Sequence, residues 1–134
     1  MYKNMHRGFL ATAAWLGALT VILGAFGAHT LKQWVDADTL NVYETGIHYQ
    51  MFHVLAIFAM GVLYKSFPGR WMRASGRFFA IGILFFSGSL YAITFLKAMH
   101  NTTAIPIIGP ITPLGGMFFI VGWVCMAIAI HRKS

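Results

Sequence analysis

The sequence predicts an all-α fold, an integral membrane four-helix bundle with cytoplasmic N- and C-termini, and three observations carry that expectation. Four stretches, 8–28, 47–64, 78–96 and 113–130, carry almost no charge. Each approaches the roughly 20 apolar residues that a helix needs to cross about 30 Å of hydrocarbon. The charges collect in the connections and tails, and they do so unevenly. Lys3, Arg7, Lys65, Arg70, Arg73, Arg77, Arg132 and Lys133 share one side with no acidic side chain, whereas Lys32 and Lys97 share the other with Asp36, Asp38 and Glu44. Basic residues in short loops near helix ends stay in the cytoplasm, which orients the chain. Four spans leave no room in 134 residues for a soluble domain, so residues 1–134 form a single membrane domain.

The first span is rich in small residues. Ala13 and Gly17, and Gly24 and Ala28, stand four apart, so that another backbone can approach closely. This helix is expected at the bundle centre. The N-terminal apolar run is longer than the roughly 7–15 residues of a secretory signal, so it is read as a retained span.

An outer interfacial segment follows over 29–46. Residues 30–35 read as an amphipathic turn with Trp34 at the headgroup level. Asp36 and Asp38 suit a helix N-terminus, where carboxylates meet the positive end of the dipole, and the second helix is expected to start near Thr39. An inner basic loop over 65–77 comes next, with Trp71 as its anchor. After the third span, Pro106, Gly109 and Pro110 interrupt the helix. The apolar run 105–111 has the composition of a segment folding back against the outer half of the bundle, which is tolerated only under protein cover. Thr112 and Pro113 read as N-cap and first residue of the fourth helix. Trp15 and Trp123 lie deep in their spans and are expected in the core, where Trp123 needs an acceptor for its indole N–H.

Composition excludes several function classes. The basic balance follows from the charge asymmetry, and a basic rim against anionic lipid accounts for it. With no stacking motif beside the charge, no nucleic acid partner is expected. Cys125 is the single cysteine and lies inside the fourth span, so an intrachain disulfide and a thiolate metal site are both excluded.

The polar residues inside the spans are the candidate site. On the second helix Gly46, Gln50 and His53 share one face, with Tyr49 beside them. His48 diverges from His53 by about 140°, so the two do not form a metal clip, and no metal or cofactor is expected. On the third helix Ser87 and Tyr91 form a stripe with Gly88 alongside. At about 1.5 Å per residue, His53 lies roughly 3 Å and Gln50 roughly 7 Å outside the midplane. Ser87 falls near the midplane and Tyr91 roughly 6 Å outside it. The two faces are therefore level, with Thr20 of the first span at similar depth. Tyr49, Gln50, His53, Ser87 and Tyr91 form either a hydrogen-bond network that sets helix register or a polar site in the outer half.

Four segments together, 24–32 (GAFGAHTLK), 44–57 (ETGIHYQMFHVLAI), 85–91 (FFSGSLY) and 111–123 (ITPLGGMFFIVGW), resemble domain-of-unknown-function family 423. These are small bacterial inner-membrane proteins related to the transmembrane protein 256 family. The resemblance implies a multi-pass four-helix protein of the inner (plasma) membrane and no particular reaction. It places patterned positions on His29, Thr45, Gly46, Tyr49, Gln50, His53, Ser87, Gly88, Ser89, Tyr91, Thr112, Pro113, Gly115 and Gly116. Gly17, Gly24, Gly88, Gly115 and Gly116 are the expected helix-packing positions. The loop 97–111 is longer than the family pattern.

The expected function is that of a structural or accessory membrane component acting through helix contacts. Its expected partners are the lipid bilayer and either further copies or a larger membrane complex. The alternative is a protein that binds, or transports, a small ligand or lipid in the outer half. No carboxylate pair, histidine–cysteine arrangement or metal spacing lies in a span, so no enzyme is expected. Small four-helix exporters couple transport to an intramembrane carboxylate, and here every acid lies in the outer connection.

Overall fold

Helix α1 (Arg7–His29) begins where the His6 ring accepts a hydrogen bond from the Phe9 backbone N–H at 3.2 Å. The computed structural model describes residues 4–132, so the assignments of Lys3 and Lys133 to the basic side lie outside the described residues. A short 3-10 turn (Leu31–Gln33) reverses the chain into α2 (Ala37–Leu63). Asp36 caps α2 by accepting from the Thr39 N–H at 2.8 Å, and Asp38 falls in its first turn. Helix α3 (Arg70–Gly82) continues through a π-helical turn (Ile83–Ser87) into α4 (Gly88–Ala98). One turn, α5 (Ile105–Ile108), precedes α6 (Ile111–His131). The result is four helical segments long and apolar enough to cross a membrane: Arg7–Gln33, Ala37–Leu63, Arg70–Ala98 and Ile105–His131. No β-strand occurs among the described residues.

The packing order corrects the place of α1. Helix α2 packs against α1 and against the whole third span, and the third span also packs along α6. Only 11% of the apolar stretch of α1 is buried, against 44% of that of α2. The small residues of α1 therefore serve one interface, with α2, and α2 is the central helix. Trp15 is 78% exposed and Trp123 47% exposed, so neither lies in the core in which both were expected. The core instead gathers Val54, Ile57 and Met60 of α2, Met72 and Phe79 of α3, Ile83, and Phe119 and Met126 of α6.

Three boundaries also differ from expectation. The basic loop is shorter than 65–77 because α3 already begins at Arg70. Arg70, Arg73 and Arg77 are exposed while Met72, Ser75, Gly76 and Phe79 are buried, the pattern of an amphipathic helix turn at a membrane surface. The run 105–111 does not fold back: α5 contains no buried residue and leads directly into α6. Thr112 is not the N-cap of α6, since Pro110 holds that place. Pro113 fits within the first turn, where backbone N–H groups have no intrahelical acceptor, and this leaves the Thr112 hydroxyl to pair across helices.

The π-helical turn coincides with a close approach of α6. A Cβ on Gly115 would collide with the Phe86 backbone nitrogen inside that turn. Bulges of this kind interrupt the regular ladder and re-aim the side chains that follow. Ser87 is the last residue of this turn.

Candidate functional site

The inward faces of α1, α2 and α4 carry a chain of hydrogen bonds. The Tyr91 hydroxyl donates to Gln50 Oε1 at 2.7 Å, and Gln50 Nε2 donates to Thr20 Oγ1 at 2.8 Å. Thr20 in turn donates to the Leu16 carbonyl at 2.6 Å. Gln50 and Thr20 are both almost fully buried, so each end of the amide is engaged by protein. Beside this chain Ser87 Oγ donates to the Gly46 carbonyl at 2.6 Å. Gly46 is the residue that lets the Tyr91 ring in, because a Cβ there would stand 2.7 Å from the ring.

His53 belongs to a second, separate cluster. Its Nδ1 lies 2.7 Å from the Tyr49 carbonyl, and its Nε2 lies 3.1 Å from the indole nitrogen of Trp123. Indole N–H is a donor only, so Nε2 accepts and Nδ1 carries the proton toward the carbonyl. A neutral imidazole with both nitrogens engaged is the form that satisfies this geometry. The ring stacks on Phe119 at 3.5 Å and 8°, with Phe79 on another side. The Tyr49 side chain contributes rings rather than polarity: it is 43% exposed and packs on Phe86 at 4.4 Å.

Of the five candidate residues, then, Gln50 and Tyr91 bond directly, and Ser87 joins α2 beside them. His53 faces α6, and Tyr49 meets His53 through its carbonyl. Five side chains outside the candidate set also take part. Thr20 completes the Gln50 chain, Trp123 satisfies His53, and Tyr43 donates from α2 to the Leu23 carbonyl of α1 at 2.6 Å. A Ser89–Thr112 hydroxyl pair at 2.6 Å ties α4 to α6. The donor-only indole of Trp123 was the signal available for the His53 bond; the other pairings depend on helix rotation.

The expected packing glycines separate in the same way. Gly115 meets backbone, whereas Gly17, Gly24 and Gly116 have neighbours only at ordinary contact distance. Gly88 meets nothing within 4 Å and is not a packing position. Gly27, Gly61, Gly76, Gly82 and Gly122 are the close approaches that spacing did not single out. Gly88 lines a groove of about 250 Å³ between α1 and the third span, walled by Leu16, Leu19, Leu23, Ile83 and Leu84, with Gln50 and Tyr91 at its floor. On the other side of α2, Glu44 and His48 are exposed and border a cavity of about 230 Å³ with Gly24 and Ala28.

Residues 23–116, most of the chain, which include Gln50, His53, Ser87 and Tyr91 but not their partners Thr20, Phe119 and Trp123, match the model of the family described as Protein of unknown function (DUF423). The chain belongs to this family. It is 40% identical over 130 residues to the UPF0382 membrane protein of Haemophilus influenzae, covering 97% of this chain and 98% of that protein. It is 38% identical to the UPF0382 inner membrane protein YgdD of Escherichia coli K12, with 96% and 95% of the two chains covered. Against the UPF0382 membrane protein YwdK of Bacillus subtilis the identity is 38%, over 90% and 94%. No solved structure matches the chain. This DUF423 member is a small multi-pass protein of the bacterial inner membrane, in contact with the lipid bilayer, as its relatives' names and its four apolar helices state together.

Proposed function

We propose that this family member is a non-enzymatic structural or accessory component of the inner membrane that acts through helix–helix contacts, with itself or with a larger complex. One observation carries the reading. The polar side chains turned inward in the outer half of the bundle bond to protein rather than facing an open site: Tyr91 to Gln50, Gln50 to Thr20, Ser87 to Gly46, and Trp123 to His53. Buried polar groups that take up one another's donors and acceptors fix rotation and register, and they leave a ligand little to bind. Helix α1, packed mainly against α2, leaves its remaining faces for intermolecular contacts. Cytoplasmic termini complete the proposal, on the strength of the basic residues at one end of the bundle.

A small-ligand or lipid-tail site is the second reading, favoured by the groove of about 250 Å³ over Gln50 and Tyr91. Native mass spectrometry of protein released gently from its own membrane separates the two. The structural reading predicts a bare monomer or a discrete oligomer with loosely exchanging lipid, unchanged in composition in Tyr91→Phe. A single retained mass that disappears in Tyr91→Phe would replace it with the binding reading.

A further inference from the structure

The end of the bundle opposite the polar clusters holds an arrangement that helix packing does not explain. Arg70 begins α3 and Arg132 follows the last residue of α6, yet both guanidinium groups lie 5.4 Å from the centre of the same Trp71 ring. An indole face attracts a cation, but two cations on one indole repel each other unless an anion lies between or beside them. The three acidic side chains of the protein, Asp36, Asp38 and Glu44, are all at the other end. Arg73, the neighbouring base, is already engaged, donating to the Tyr64 hydroxyl at 2.8 Å.

Beside the two guanidiniums lies a cavity of about 260 Å³, lined by Pro68, Gly69, Arg70, Trp71, Ala129 and Arg132 among others. Its rim includes the start of α3, where Gly69 is the N-cap and supplies no side chain to the first-turn N–H groups. Gly69 has φ 143°, and a Cβ built there would meet nothing within 4 Å, so the turn stays open. The depth is informative as well. Arg70 is the first residue of the third span and Arg132 follows the last of the fourth, which places both at the level of lipid phosphates.

We infer that the Arg70–Trp71–Arg132 cluster is a binding site for the phosphate of an anionic phospholipid. Forked guanidinium donors suit phosphate oxygens, the uncapped helix start adds backbone donors and a favourable dipole, and Trp71 anchors at the interface. The site is independent of the polar clusters and of the scaffold reading.

The test uses the full chain in phosphatidylcholine nanodiscs, with phosphatidylglycerol titrated in and retention read by native mass spectrometry. Wild type is expected to retain phosphatidylglycerol over phosphatidylcholine. The Arg70→Gln/Arg132→Gln pair is expected to weaken that retention at least tenfold. Lys65→Gln/Arg77→Gln, which removes the same charge from exposed positions off the cavity, is expected to change it less than twofold. Equal loss in both pairs would reduce the effect to the general field of a basic rim and overturn the site. Displacement of the lipid by millimolar inorganic phosphate would also overturn it, as a site for free phosphate. Should the arginine pair not fold, wild type alone decides, and equal retention of the two lipids sinks the proposal.

Discussion

The α1–α2 interface and the interface of the third span with α6 both depend on glycine, yet they use it differently. Between α1 and α2 the glycines receive side chains: Gly27 takes the Tyr43 ring and Gly61 takes Leu10. Hydrogen bonds then lock the rotation, from Tyr43 to the Leu23 carbonyl and from Gln50 to Thr20. Between the third span and α6 the exchange is reciprocal. Gly82 receives Phe119, Gly122 receives Phe79, and at Gly115 the two backbones themselves come together. A side-chain contact can relax by a rotamer change, and a backbone contact cannot. The second interface is thus the more rigid one; the first has one backbone bond at its end, from the His6 N–H to the Gly61 carbonyl at 2.9 Å, and otherwise polar pairs that a substitution can remove singly.

That contrast breaks first at Gly115. Gly115→Ala should cost about 3 kcal/mol, the upper range for overpacking a site that cannot yield, read as loss of helicity in a detergent unfolding titration. Gly88→Ala, just past the π-helical turn with open space around it, should be neutral or stabilising by up to about 1 kcal/mol through helix propensity. Equal losses at the two positions would mean that the backbone approach at Gly115 does not limit packing.

A smaller effect is expected where a ring can move. Gly82→Ala should cost about 2 kcal/mol as Phe119 is pushed aside. Because Phe119 stacks on His53, the displaced ring should also change Trp123 fluorescence. An unchanged spectrum in the destabilised variant would separate the His53 cluster from the glycine lock.

Gln50→Leu sharpens the polar side of the comparison. It removes both hydrogen bonds at similar volume, and membrane-buried bonds average about 0.6 kcal/mol with an upper value near 1.7. A loss of about 1–2 kcal/mol is expected in the same titration, together with easier separation of α1 measured by cross-linking between cysteines introduced on α1 and α2. A loss above that of Gly115→Ala would reverse the ranking of the two interfaces.

The smallest expected effect is a pH dependence at the turn between α1 and α2. The Thr39 backbone N–H, and then the Thr39 hydroxyl, hold the Asp36 carboxyl below its ordinary value. A depressed folded-state value means that the cap stabilises above the unfolded carboxylate range and that this contribution is lost as pH falls through the folded value. The melting temperature should therefore fall on acidification into that range in wild type, and the acid-dependent part should be smaller in Asp36→Asn. Identical acid limbs would remove Asp36 from the account.

In the sequence, residues 44–57 and 85–91 already showed level polar faces on two helices, because depth follows from rise per residue and facing from 100° per residue. Which polar group meets which did not follow. The π-helical turn at Ile83–Ser87 interrupts the regular period of the third span, and nothing in local composition announces it. It arises where Gly115 brings a second backbone against Phe86. The pairing of His53 with Trp123 rather than with Gln50 is of the same kind, since residues 70 positions apart meet only when α2 and α6 have both packed on the third span.

By itself the sequence determined the number of membrane-crossing helices, the cap at Asp36 and the separation of basic from acidic residues into different connections. Each of these depends on the transfer of one segment between water and hydrocarbon, a property of local composition. Tertiary structure alone decided that α2 rather than α1 is central, which glycines are close approaches, and that the polar faces divide into two clusters. Those depend on the relative rotation of whole helices, and inside a membrane the apolar side chains that surround every helix do not specify it. The few polar pairs and backbone contacts do.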